Sequence, residues 1–128
     1  MSTKPLLAVT LDGAREAYEP GDALAGTASW TAADAPAAVE LRLFWFTRGW
    51  GAQDVVVVDK VRFDAPAARE QRRFQLALPE GPYSFTGKLV SLVWAVELVA
   101  LPSEEAARAE IVIAPGARVL TLPAEDVT

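Results

Sequence analysis

The chain has 128 residues, 52% of them hydrophobic and 23% charged, the proportions of one packed globular unit and not of a disordered segment. Its net charge of −5 offers no basic surplus for nucleic acid or anionic lipid. Cysteine and histidine are both absent, which removes disulfides, thiolate nucleophiles, histidine-dependent triads and nearly all zinc or copper sites, so neither a metal nor a cofactor is expected.

From the start, "MSTKPLLAVTLDGARE" carries one lysine and a short alternating apolar run without the long apolar stretch of a secretory signal, so a cytoplasmic location is expected. That run, 6–11, is the first predicted strand. "EPGD" at 19–22 suits a turn with proline second and glycine third, where positive φ is needed, and it opens a second strand at 22–31. The alanine cluster "TAADAPAA" is interrupted by Asp34 and Pro36 and reads as a loop. Further strands follow at 38–47, 53–63 and 70–78. "PEGPYS" then turns the chain into a sixth run at 88–101, with a seventh at 108–114 and a short eighth within 117–122. The tail "PAEDVT" is polar enough to fray. The sixth run holds Ser91 and Glu97 and is shorter than the roughly 20 residues of a spanning helix, so no integral membrane association is expected.

Alternation assigns faces. In the fifth strand Phe74, Leu76 and Leu78 share a side; in the sixth Val90, Leu92, Trp94, Val96 and Leu98 form a core-facing comb, opposite Ser91, Val93, Ala95, Glu97 and Val99. In the third, Val39, Leu41, Leu43 and Trp45 point inward, leaving Glu40, Arg42, Phe44 and Phe46 outside. Short strands at this spacing, with no helical period, predict an all-β fold: a two-sheet antiparallel sandwich of seven to eight strands in a single domain, 1–128, with its core at about 5–114 and a tail at 115–128.

Three stretches, "YEPGDALAGTASW" (18–30), "VELRLFWFTRG" (39–49) and "LPEGPYSFTGKLVSLVWAVELVA" (78–100), in this order and spacing resemble the arrestin-like β-sandwich. That family includes arrestins, a retromer subunit and bacterial sporulation-control proteins. Pro20, Gly21, Asp22, Gly26, Pro82, Ser84, Gly87 and Trp94 match its turn and strand positions. The resemblance implies an immunoglobulin-like or arrestin-like fold and a scaffold role. Arrestins carry two sandwiches in tandem, and this chain has length for one. Its first strand lacks the paired lysines that meet receptor phosphates, so phosphoreceptor recognition does not carry over.

Candidate sites come from residues out of place. Ser84 and Lys88 have the spacing of a Ser–Lys dyad, but a turn feeding a strand points them apart and a serine in such a turn bonds its own backbone; no catalytic residue is assigned. Asp59 falls on the apolar comb of Val55, Val57, Val61 and Phe63, which a bulge near Asp59 and Lys60 would resolve; a ligand role would need converging acidic partners. Arg62, Arg69, Arg72 and Arg73 are either a patch for a phosphorylated or acidic partner or a solvated, edge-protecting rim. Phe44 and Phe46, with Trp50 at a glycine-flanked hairpin tip, form either a partner-binding surface or a minicore closed by Trp50. Val93, Ala95 and Val99 offer a secondary interface.

Two functions follow as expectations. The first is a non-enzymatic protein–protein interaction or scaffold module, a homodimer or a module docking on a protein partner, in which a second copy supplies the missing sandwich. The second is a small-molecule or carbohydrate binder using Trp50 as a platform beside Asp54.

Overall fold

A computed structural model of the protein describes residues 5–49 and 53–121. Ten strands run in chain order: β1 (Leu6–Leu11), β2 (Ala17–Tyr18), β3 (Ala23–Thr31), β4 (Ala38–Gly49), β5 (Val55–Phe63), β6 (Arg69–Ala77), β7 (Phe85–Thr86), β8 (Val90–Leu101), β9 (Ala106–Ile113) and β10 (Leu120–Thr121). They form a two-sheet β-sandwich. The eight predicted strands are all present within one to three residues at most ends. The two additions, β2 and β7, are two residues long, too short to show an alternation.

The smaller sheet has the order β1–β3–β6, antiparallel throughout. In the larger, β4 pairs with β8 along its whole length, from Ala38 opposite Leu101 to Gly49 opposite Val90, and β5 lies on the other side of β4. The far side of β8 is shared: β7 pairs at Ser91 and Leu92, β9 from Trp94 to Val99. Two short pairings are parallel, β2 with β9 and β10 with β7, so the sandwich is not purely antiparallel.

The combs meet between the sheets. Leu41, Leu43, Trp94, Val96 and Leu98 are fully enclosed, facing Leu24, Trp30, Phe74 and Leu76 from the smaller sheet. Each large apolar side chain so buried stabilises the fold by about 1.5–3 kcal/mol. The two core tryptophans keep their polar ends satisfied: the Trp30 indole N–H donates to the Ala67 carbonyl (2.9 Å) and that of Trp94 to the Pro82 carbonyl (2.8 Å). Gly21 sits at φ +83° in the turn before β3. Gly26 lies where β3 passes between β1 and β6, and a Cβ there would collide with the Thr10 carbonyl oxygen.

Ser84 joins the strands that share the far side of β8. Its N–H donates to the Ile113 carbonyl (2.7 Å), its Oγ accepts from the Ile113 N–H (3.0 Å), and its carbonyl accepts from Leu120 (3.3 Å). Only 2% of Ser84 is exposed, and Ile113 is fully buried. The turn motif that carries the family resemblance thus fastens β9 and β10 to the entry of β7.

Candidate functional site

The sequence placed Phe44 and Phe46 on the outer face of the larger sheet, and there they lie, apart from the main core, with Ala95 and Val93. They are not an open aromatic patch. Phe44 is 4% and Phe46 7% exposed, their rings stacked with centroids 5.9 Å apart. The Arg108 guanidinium lies 4.9 Å from the Phe44 centroid and 5.3 Å from that of Phe46, and Arg48 lies 5.3 Å from Phe46. Arginine stems and planar heads thus roof the pair, a cation–π arrangement that also excludes water. Glu97 holds Arg108 (3.2 Å) and Glu110 holds Arg48 (2.8 Å). Trp50, expected to close this minicore or to extend the surface, lies outside the described residues. Ala95 is fully buried and Val99 2% exposed, so the secondary interface expected at Val93, Ala95 and Val99 is covered as well, with Val93 half-buried beside the phenylalanines.

The four arginines do not converge into an anion cradle. Arg62 meets Glu40 (3.4 Å) and Asp64 (3.2 Å) on the larger sheet, while Arg72 meets Glu70 (2.5 Å) and the Asp64 carbonyl (3.1 Å). Arg73 makes a two-pronged contact with Asp12, 2.6 Å for each bond. Hydrogen bonding to Arg73 holds the Asp12 carboxyl below its ordinary range, and Arg72 does the same for Glu70. Arg69 is exposed at the start of β6, opposite Thr31. Three of the four guanidinium groups already face carboxylates of this chain, which removes the shared positive patch.

The strand expected at 53–63 is present as β5, and what the sequence did not disclose is the exposure of its first four residues. Leu43 stands opposite Asp59 but Phe44 stands opposite Val57, so Val58 is the extra residue of a bulge. Before the bulge, Val55 and Val57 lie opposite Phe46 and Phe44 and share the outer face; after it, Val61 and Phe63 lie opposite Leu41 and Val39 and face the core. The single apolar comb expected for Val55, Val57, Val61 and Phe63 is therefore split. A bulge does fall beside Asp59, but it turns Val55 and Val57 outward and leaves Asp59 opposite Leu43 on the face of Val61 and Phe63; the carboxylate escapes burial because Asp59 is itself exposed, where it accepts the Lys60 N–H at 2.8 Å. All four consecutive valines are open to solvent: Val55 62%, Val56 40%, Val57 46% and Val58 43%. β5 is the last strand of its sheet, and among the described residues no strand pairs with its outer side.

The groups weighed for chemistry are placed apart or used structurally. Ser84 bonds not its own turn backbone, as expected, but the backbone of the distant Ile113, while Lys88 is exposed in the loop before β8. The Asp54 N–H donates to Thr47 Oγ1 (2.9 Å) and its carbonyl accepts from the Thr47 N–H (3.0 Å), closing the β4–β5 hairpin. Among the described residues no three acidic side chains come together to hold a metal ion, and no helix is long and apolar enough to cross a membrane.

Comparison with protein-family models and with curated protein sequences gives no match. Among solved structures the chain is similar to Spo0M, the sporulation control protein of Bacillus subtilis, at a TM-score of 0.61 and 17% identity over 86% of this chain and 49% of that one. It is also similar to part of a β-glucosidase from Listeria innocua, at a TM-score of 0.50 and 13% identity, covering 91% of this chain and 16% of the glucosidase. The chain thus spans about half the length of the sporulation-control protein. At these identities the likeness establishes the shared fold, an arrestin-like β-sandwich.

Proposed function

We propose that the protein is a non-enzymatic docking module of the arrestin-like family, acting as a homodimer or on a protein partner. The observation that carries this reading is the outer edge of β5, where four adjacent valines stand exposed on a strand with one side unpaired among the described residues. An exposed apolar strand edge is a template for another strand, and folded proteins ordinarily blunt such edges with charge, proline or cover. The contrast with β6 supports the point: that edge carries Arg69, Glu70, Arg72 and Arg73 within five residues. Similarity to a sporulation control protein is in keeping with a regulatory scaffold.

Affinity capture tests the reading, with the wild-type chain and the variants Val56→Lys and Val58→Lys as bait. The side chains changed are exposed, so both variants keep the wild-type melting temperature within a few degrees. Proteins captured by wild type, further copies of this chain included, are lost from both variants. Identical capture by all three baits would refute docking through β5.

A further inference from the structure

We infer that the occupant of the β5 edge is a second copy of this chain, paired antiparallel about a two-fold axis at Val56. The inference rests on the docking reading above and specifies its partner. Three observations lead to it.

The first is backbone direction. Asp54 directs both its N–H and its carbonyl at Thr47 of β4. Alternation along a ladder therefore turns the N–H and C=O of Val55 and Val57 away from β4, toward the open side. The bulge at Val58 ends this regular stretch. Two copies placed antiparallel with Val56 opposite Val56 set Val55 of each opposite Val57 of the other, and both outward-facing pairs exchange their hydrogen bonds. Any register shifted toward residue 59 runs the ladder into the bulge.

The second is the segment itself. Residues 55–58 read the same in both directions and carry no charge, so antiparallel pairing sets valine against valine, a favourable cross-strand combination. Nothing within the four residues selects a partner of particular charge. The flanks favour the antiparallel sense: Asp54 precedes the segment, while Asp59, Lys60 and Arg62 follow it. Antiparallel pairing about Val56 sets Asp54 of each copy opposite Val58 of the other and keeps the Asp59 and Lys60 of the two copies apart, whereas parallel in-register pairing lays Asp59 beside Asp59 and Lys60 beside Lys60.

The third is symmetry. An isologous contact uses both open edges at once and closes, leaving no free β5 to recruit a third copy. It joins two larger sheets into one continuous sheet and supplies each copy with a second sandwich. A contact built on one short edge is small beside the roughly 1,600 Å² of a standard interface, and each copy carries a net charge of −5, so the dimer is weak and forms with rising concentration.

The absence of cysteine makes the test direct, because a single introduced cysteine can form a disulfide only between chains. Val55→Cys, Val56→Cys, Val57→Cys and Val58→Cys are oxidised mildly beside Gln75→Cys, an exposed position on the opposite-sheet edge strand β6. Thermal melts establish that each variant is folded. Cross-linking should be greatest at Val56, a non-hydrogen-bonded pair across the axis where side chains approach most closely, at least several-fold above Gln75→Cys. Should Val56→Cys fail to fold, an equimolar mixture of Val55→Cys and Val57→Cys, positions that the pairing sets opposite one another, carries the same test. Yields at all four positions no higher than at Gln75→Cys would overturn the inference, as would a maximum at Val58. If that failure accompanies capture of another protein that still depends on the valines, the second copy is excluded and the docking reading stands; if capture is also insensitive to the valines, both fall.

Discussion

Replacing Ser84 with alanine removes one oxygen and little else. The Oγ is the acceptor for the Ile113 N–H at 3.0 Å, in a place where Ser84 is 2% exposed and Ile113 fully buried. On either side of Ile113, Val112 and Ala114 donate to Glu16 and Tyr18, so the backbone of β9 cannot rotate to find another acceptor without breaking its pairing with β2. The Ile113 N–H is therefore left buried and unpaired, which costs about 1–3 kcal/mol. In a chain of this length each kcal/mol lowers the melting temperature by roughly 4 °C. Urea unfolding followed by tryptophan fluorescence should show the loss in the midpoint with an unchanged slope, and hydrogen exchange should show the Ile113 amide deprotected. Ser91→Ala is the control, since its Oγ accepts only a long bond of 3.4 Å from Gly87, and it should stay within about 0.5 kcal/mol of wild type. A Ser84→Ala variant as stable as that control, with Ile113 still protected, would refute the assignment of Ser84 as the fastening of β9.

Gly26→Ala should destabilise by about 1–3 kcal/mol or more, because the added methyl meets backbone at Thr10 and Leu11 and not a flexible side-chain end; calorimetry reads the loss. Arg108→Ala should cost about 0.5–1 kcal/mol and raise the binding of a hydrophobic dye by uncovering Phe44 and Phe46, while Arg108→Met, which keeps the apolar stem, should restore most of the cover. Acid sensitivity follows from Asp12, Asp22 and Glu70, whose carboxyls are held below their ordinary values of 3.8, 3.8 and 4.5 by Arg73, by the Glu19 N–H and Arg15, and by Arg72 with the Ala67 N–H. A folded-state pKa below the unfolded one gives stability that is present above the ordinary value and lost as pH falls through the folded one. The triple variant Asp12→Asn, Asp22→Asn, Glu70→Gln should thus be less stable than wild type near neutrality, and the two urea midpoints should converge below about pH 4. Parallel curves down to about pH 3 would contradict the pairing of these groups.

Much of the fold was legible because a strand buried on one face writes its geometry with a period of two. β8 and β4 show this plainly: Leu92, Trp94, Val96 and Leu98, and Val39, Leu41 and Leu43, are all in the core as their alternation required. The same rule is silent for four identical residues. "VVVV" contains no alternation, so the turning outward of Val55 and Val57 could not be read from it; a bulge was legible only indirectly, from Asp59 falling on an apolar comb, and its place at Val58 was not. The other gaps are long-range. The covering of Phe44 and Phe46 depends on Arg108 from β9, and the neutralisation of Arg73 on Asp12, 61 residues earlier. Ser84 was legible as a turn residue, but its partner lies 29 residues on in a strand whose pairing is set by tertiary packing.

Sedimentation velocity of wild type and Val56→Lys from about 10 µM to 1 mM tests docking through the β5 edge by a second copy most directly. Wild type should shift reversibly from monomer to dimer across that range and stop there, while Val56→Lys, unchanged in melting temperature, remains monomeric throughout. A wild-type chain that stays monomeric at the highest concentration, or a dimer that survives the lysine, would contradict the account.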